Sequence, residues 1–296
     1  MRAADFEVRS PEFRAILAPD SEVEKLAEGF EFTEGPCWVA AGGYLLFSDI
    51  PHSRIMRWSP TEGVSVWRDA SNQTNGNTLD REGRLISCEH RGRRVTRTEK
   101  DGAITVLADR HAGGKLNSPN DVVVKSDGTI WFTDPPYGLT MWVDPPLQRE
   151  QAKDYVFRLD PGAGGPTLVA DDLDKPNGLC FSPDERRLYI ADSSARRHIR
   201  VFEVGADNTL QGGQVFAAID PGGPDGMRCD TQGRLYSTAG DGVHVFNPGG
   251  QLLGKIKCPL TPANCTFGGP GKRTLFLTAR TALFAVRLAA TGAQSP

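Results

Sequence analysis

Six side chains that end in oxygen recur in register along this sequence: Glu34, Asn75, Asn120, Asn177, Asp225 and Asn264. Each stands ten or eleven residues before a repeated apolar position, at Leu45, Leu85, Ile130, Leu188, Leu235 and Leu275. All six are Asn, Asp or Glu, and none is Ser, Thr or Lys. Brought to one point without a cation, two carboxylates and several amide oxygens would repel. Around a cation they form the all-oxygen shell that Ca2+ prefers, with Mg2+, Mn2+ or Zn2+ admissible in its place. Glu34 and Asp225 together would neutralise one divalent charge. The bland reading is that Asn and Asp merely populate turns, as in Pro176-Asn177-Gly178 and Pro224-Asp225-Gly226. Six in register favour the ring, and Glu34, a poor turn residue, favours it further.

Other chemistries find little support. No Gly-x-Ser-x-Gly elbow occurs, which disfavours a Ser-His-Asp hydrolase. The phosphate-cradling Gly-x-x-x-x-Gly-Lys-Ser/Thr loop is also absent. The cysteines Cys37, Cys88, Cys180, Cys229, Cys258 and Cys265 form no CxxC pair and read as small apolar residues. Among the histidines, His90 is placed to shuttle a proton or to bond a sugar hydroxyl, the alternative being a rim residue without a catalytic part. His52, His111, His198 and His244 read as structural or solvated.

The elements that must position the ring are legible as a repeat. A turn, a Leu or Ile, an alternating apolar segment and a small hydroxylated residue or Ala recur from Gly43-Tyr44-Leu45-Leu46-Phe47-Ser48 to Arg273-Thr274-Leu275-Phe276-Leu277-Thr278. The intervals are 40, 45, 58, 47 and 40 residues, the length of a four-stranded propeller blade. Third-strand and fourth-strand segments follow each copy, except that the sixth has no chain left for a fourth strand. Val23-Glu24-Lys25-Leu26 is free to supply it and close the ring. The expected fold is therefore all-β: a six-bladed β-propeller of four-stranded antiparallel blades, with an N-terminal strand completing the last. No long segment carries the 3.6-residue period of a helix. Residues 1–296 are expected to form one domain, with 1–20 as an N-terminal extension and 135–154 as a long rim loop. Tyr137 and Trp142 in that loop suit a lid or binding loop better than a solvated insertion.

Bulk properties agree. Thirty-three glycines and 21 prolines in spaced clusters suit many short strands and tight turns. A formal net charge of −3 with interspersed signs gives no nucleic-acid or membrane-surface footprint. Without an apolar leader or a long apolar run, a cytoplasmic protein is expected, as a monomer or weak homodimer.

Several motifs together resemble the six-bladed propellers of the gluconolactonase, regucalcin (senescence marker protein) and luciferin-regenerating-enzyme family. They are Phe32-Thr33-Glu34-Gly35-Pro36, Asn117-Ser118-Pro119-Asn120-Asp121, Trp131-Phe132-Thr133-Asp134-Pro135, Pro176-Asn177-Gly178-Leu179 and Pro224-Asp225-Gly226-Met227. Asn75-Gly76-Asn77-Thr78-Leu79-Asp80 and Cys88-Glu89-His90-Arg91 look like the bacterial gluconolactonase branch. The resemblance implies Glu34, Asn177 and Asp225 as ligands of one catalytic divalent cation, with Asn120 at the metal or the substrate. Asn75, His90 and Tyr137 join Asn120 as expected substrate contacts. Asp121 and Asp134 are candidates for a second cation. Ser118 stands where the animal regucalcin-like pattern has Arg, so substrate contacts are expected to differ from that branch.

The expected activity is metal-dependent hydrolysis of a sugar lactone such as D-glucono-1,5-lactone to the aldonic acid. The cation would polarise the lactone carbonyl, and Asp225 would act as general base or as nucleophile. The alternatives are an arylesterase or phosphotriesterase on the same scaffold, or a non-catalytic propeller that binds calcium or sugar.

Overall fold

Each repeated Leu or Ile lies in a strand whose residues are nearly all buried, because a blade's interior strands are covered on both faces by neighbouring blades. The computed structural model describes residues 2–294 and arranges these strands as six antiparallel sheets. Blade one runs outward through Thr33–Val39, Tyr44–Asp49, Arg54–Ser59 and Gly63–Arg68. The inner strands of blades two to six begin at Thr74, Val122, Pro176, Met227 and Asn264. Each inner strand packs against the next around the axis, and the sixth returns to the first. The outer strands, such as Gly63–Arg68 and Ile104–Ala108, are half exposed.

Closure follows the expected route. Val23–Glu28 pairs antiparallel with Ala282–Arg287 and completes blade six, Val23 opposite Val286 and Glu28 opposite Ala282. The segment before it is more than an extension. Phe6–Val8 adds a fifth strand to blade five beside Leu252–Lys257. Ser10 Oγ then accepts from Phe13 N at 3.1 Å to cap the short helix Pro11–Ile16. Phe13 and Ile16 of that helix are buried in the core between blades five and six.

Side chains between blade faces form the remaining core. Trp131 of blade three is fully buried with Leu179 and Leu188 of blade four, edge-on to Phe181 at 5.5 Å. Trp38 of blade one stacks on Phe276 of blade six at 5.4 Å. The cysteines are free, and five of the six are buried. No helix among the described residues is long and apolar enough to cross a membrane.

Candidate active site

The ring residues sit where the inner strands are irregular. Strand pairing slips between Glu34 and Cys37, between Thr74 and Asn77, and between Pro176 and Leu179. A bulge bends a strand and re-aims a side chain, here at Glu34, Asn75 and Asn177. The glycine after the ring residue has a steric reason beyond any turn. A Cβ on Gly35 would stand 2.0 Å from the Asn75 carbonyl oxygen, and one on Gly178 would stand 2.1 Å from that of Asp225. Only glycine lets neighbouring inner strands approach so closely. The small hydroxylated residue of the repeat then latches one blade to the next. Ser48 Oγ donates to the Asn75 carbonyl at 2.7 Å, and Thr133 Oγ1 donates to that of Asn177 at 2.8 Å.

Five ring members, Glu34, Asn75, Asn120, Asn177 and Asp225, line one cavity of about 260 Å3 at this end of the channel. Asn264 does not. Its Oδ1 accepts from Cys265 N at 2.8 Å, and its Nδ2 donates to Glu34 Oε2 at 3.0 Å. The sixth member therefore offers the axis an N–H rather than an oxygen. Gly35 N also donates to Glu34 Oε2, at 2.5 Å, so this oxygen is anchored and Oε1 is the one left for a ligand.

His90 and Tyr137 line the same cavity, together with Phe32, Ile50, Met141, Trp142 and Ser193, which the sequence had not marked as site residues apart from Trp142. The rim loop is fastened over it. Gly138 N donates to Ser118 Oγ at 2.9 Å, and Gln73 Nε2 donates to the Trp142 carbonyl at 2.9 Å. Ser118 thus holds the loop, and it is not among the residues that line the cavity. Gly138 sits flush against His90, whose ring a Cβ would strike at 2.5 Å. The Trp142 ring lies 5.2 Å from that of Phe32, and the two give the cavity an apolar wall.

The field of the site is strongly negative. Burial, and then the Asp121 charge, push the Glu34 carboxyl up to about 7. Burial, Glu34 and Asp121 hold Asp225 well above the usual carboxylate range. Burial and Asp225 raise the Tyr137 hydroxyl, which neighbours Ser193 and Asn177. His90 is driven down to about 3 by burial, so its ring is neutral at pH 7. Asp225 Oδ1 and Asn75 Oδ1 are buried without a hydrogen-bond partner among the described residues. Orphaned oxygens beside crowded carboxylates are what a cation would satisfy. Among the described residues no group of three or more His, Cys, Asp and Glu converges as a metal-holding set. Glu34, Asp121 and Asp225 are near enough to repel, and a shell here would be completed by amide oxygens.

Asp121 and Asp134 have separate surroundings. Asp121 faces the axis below the cavity, bonded to Asn264 Nδ2 at 3.3 Å and 3.9 Å from Arg228. Asp134 Oδ2 accepts from Asn117 N at 2.7 Å and so fixes the connector that enters its own blade. Asp49 and Asp192 do the same for blades one and four, through Phe32 N and Asp174 N. A shared role in three blades gives Asp134 a structural reason that needs no second ion. Of the remaining histidines, His52 bonds Asp49, His244 bonds Asp241 and His111 packs on Phe157. His198 lies near Asp192.

Comparison with known proteins places the chain in a family. The chain is 35% identical over 295 residues to the gluconolactonase of Zymomonas mobilis, covering 91% of this chain and 82% of that one. A pentonolactonase from Haloferax volcanii is 29% identical over 83% of this chain and 80% of its own length. Among solved structures, a gluconolactonase from Xanthomonas campestris superposes with a TM-score of 0.90 at 40% identity, covering 96% of this chain and 95% of that one. The model of the SMP-30/gluconolactonase/LRE-like region matches residues 32–281, and the chain belongs to that family.

Proposed function

We propose that this protein hydrolyses a sugar lactone, an aldonolactone such as D-glucono-1,5-lactone, with one divalent cation held on the propeller axis. The chain is an enzyme of the lactone hydrolase class, as its lactonase relatives are. The observation that carries the finer reading is the pairing of two carboxylates, buried Glu34 and half-buried Asp225, with the orphaned oxygens of Asp225 and Asn75 at one cavity. Glu34, Asn177 and Asp225 would hold the cation, with Asn120 beside them. Ca2+ suits this oxygen set best.

When bound, the cation supplies Lewis-acid polarisation of the lactone carbonyl. The chain's own residues do the rest. Asp225 takes the proton of the water that bonds to the lactone carbonyl carbon, and returns it to the ring oxygen as the ring C–O bond breaks to give the aldonic acid. Asn120, Asn177, Tyr137 and Ser193 supply hydrogen bonds to the sugar hydroxyls. His90, neutral at pH 7, serves as a hydrogen-bonding group rather than a titrating acid. Phe32 and Trp142 cover an apolar sugar face and exclude water. A small pocket of this kind, with few polar groups, fixes the orientation of its ligand.

A pH-indicator assay on a panel of aldonolactones, an aryl ester and a phosphotriester tests the proposal, with chelation and metal add-back. Turnover of an aldonolactone that chelation abolishes and Ca2+ restores is expected. Faster turnover of the aryl ester or phosphotriester, or undiminished turnover after exhaustive chelation, would contradict it.

A further inference from the structure

Beneath the cavity the axis holds a layer of charge that substrate binding does not use. Arg228 is 2% exposed, and its Nη1 donates to the Met227 carbonyl at 2.7 Å and lies 3.9 Å from Asp121 Oδ2. Asp121 Oδ2 accepts from Asn264 Nδ2 at 3.3 Å, and the same nitrogen donates to Glu34 Oε2 at 3.0 Å. The Asn264 amide cannot turn over, because its oxygen is engaged by Cys265 N at 2.8 Å. A guanidinium, a carboxylate, an amide and a second carboxylate thus follow one another up to the cavity.

Charge decides what this layer does. Glu34, Asp121 and Asp225 act on one another along the axis, the first two buried and Asp225 half-buried, and Arg228 is the buried guanidinium below them. Arg280 also acts on Asp225, but it is exposed at the rim over the Phe32 ring, where solvent screens it. Buried charges persist when each finds a partner. With Arg228 matched to Asp121, the negative charge left over is that of Glu34 and Asp225, the amount one dication neutralises.

Resting on the reading of the cavity as a dication site, we propose that Arg228 is a positioning residue for that site. It neutralises Asp121, so that Asn264 presents its amide to Glu34 and the cation meets two uncompensated carboxylates rather than three. On the same geometry Asp121 is the counter-ion of Arg228 and not a ligand of a second cation.

Calorimetric titration of CaCl2 into metal-stripped protein tests this with wild type, Asp121→Asn, Arg228→Met and the double variant. One Ca2+ per chain is expected in wild type and in Asp121→Asn. The Asp121→Asn variant should bind about tenfold more weakly or worse, because an unpaired guanidinium then stands beneath the cation. The double variant, its charge balance restored, should return to within about threefold of wild type, the coupling expected of groups in contact. Melting temperatures are followed in parallel, since a merely structural role would lower them without any recovery of affinity in the double variant. Should Arg228→Met alone fail to fold, Asp121→Asn against the double variant still decides. Loss of a second equivalent of Ca2+ in Asp121→Asn would overturn the proposal, as would a double variant no tighter than Asp121→Asn. Wild-type binding that Asp121→Asn leaves unchanged overturns this inference alone. A wild type that takes up no dication overturns the cavity reading and this proposal with it.

Discussion

Asn75 Nδ2 lies 3.1 Å from His90 Nε2, and because an amide nitrogen only donates, that ring nitrogen accepts. The His90 proton therefore sits on Nδ1, which is buried with no hydrogen-bond partner among the described residues. Asn75 is turned by the same bond so that its Oδ1 stays unpaired at the cavity. One contact sets both the tautomer of the histidine and the aim of a ring oxygen.

From this follows the first prediction. His90 should show no protonation above about pH 5 by NMR titration, since burial holds it near 3. A histidine that resists its proton when folded and accepts it when unfolded contributes stability above about 6.5, and that contribution drains as pH falls towards about 3. His90→Gln should lower kcat/KM about tenfold, one lost hydrogen bond, and leave the shape of its pH profile between 5 and 8 unchanged. Loss of an inflection in that range would show His90 to be a titrating catalyst instead.

Glu34 gives a prediction of the opposite sign. Its folded carboxyl is raised to about 7, so in metal-free protein its stabilising contribution is complete below about 4.5 and is lost as pH rises through about 7. Metal-stripped Glu34→Gln should therefore melt above wild type at pH 8, by about 1–3 kcal/mol, and the gap should close towards pH 4.5. Added Ca2+ should reverse the order at pH 8 by stabilising wild type alone. Lactone hydrolysis should be abolished in the variant at every pH.

Gly178 couples packing to the site. A Cβ there would meet the Asp225 carbonyl oxygen at 2.1 Å, a backbone atom that cannot step aside. Gly178→Ala should destabilise the fold by about 2–4 kcal/mol and depress kcat together with metal affinity. A variant of full stability and activity would show that the inner strands can part at this point.

The segment ahead of the closing strand offers a contrast. Phe13 is fully buried against blades five and six, in a cluster that contains no ring residue. Phe13→Ala should cost about 3–5 kcal/mol in chemical denaturation while leaving kcat/KM unchanged in protein that remains folded. A specific fall in kcat would mean that this outer layer reaches the axis.

Much of this architecture could be read from residues alone, because a blade repeats its physics. The buried second strand forces an apolar run, and the axial approach forces glycine after the ring residue in Glu34-Gly35, Asn75-Gly76, Asn177-Gly178 and Asp225-Gly226. The hydroxyl at Ser48 and Thr133 recurs because the next blade's carbonyl needs a donor. What the repeat could not convey is direction. Asn264 sits in register with the ring, but its oxygen is taken by its neighbour's N–H, a choice made by local backbone geometry. Arg228 lies in a strand with no charge pattern to distinguish it, and only the closed ring places it under Asp121. Phe6–Val8 and Phe13 went unread because three residues of strand and a short helix carry too little periodicity to rise above a linker.

Metal content measured against turnover tests most directly whether one dication on the axis carries the hydrolysis. Wild type, Glu34→Gln and Asp225→Asn would be stripped, dialysed against buffered Ca2+, and analysed for bound calcium per chain alongside hydrolysis of D-glucono-1,5-lactone. One equivalent and full activity are expected in wild type, with calcium and activity lost together in both variants while circular dichroism is unchanged. Stripped wild type that still hydrolyses the lactone at its full rate, or an Asp225→Asn protein that does so without calcium, would contradict this expectation.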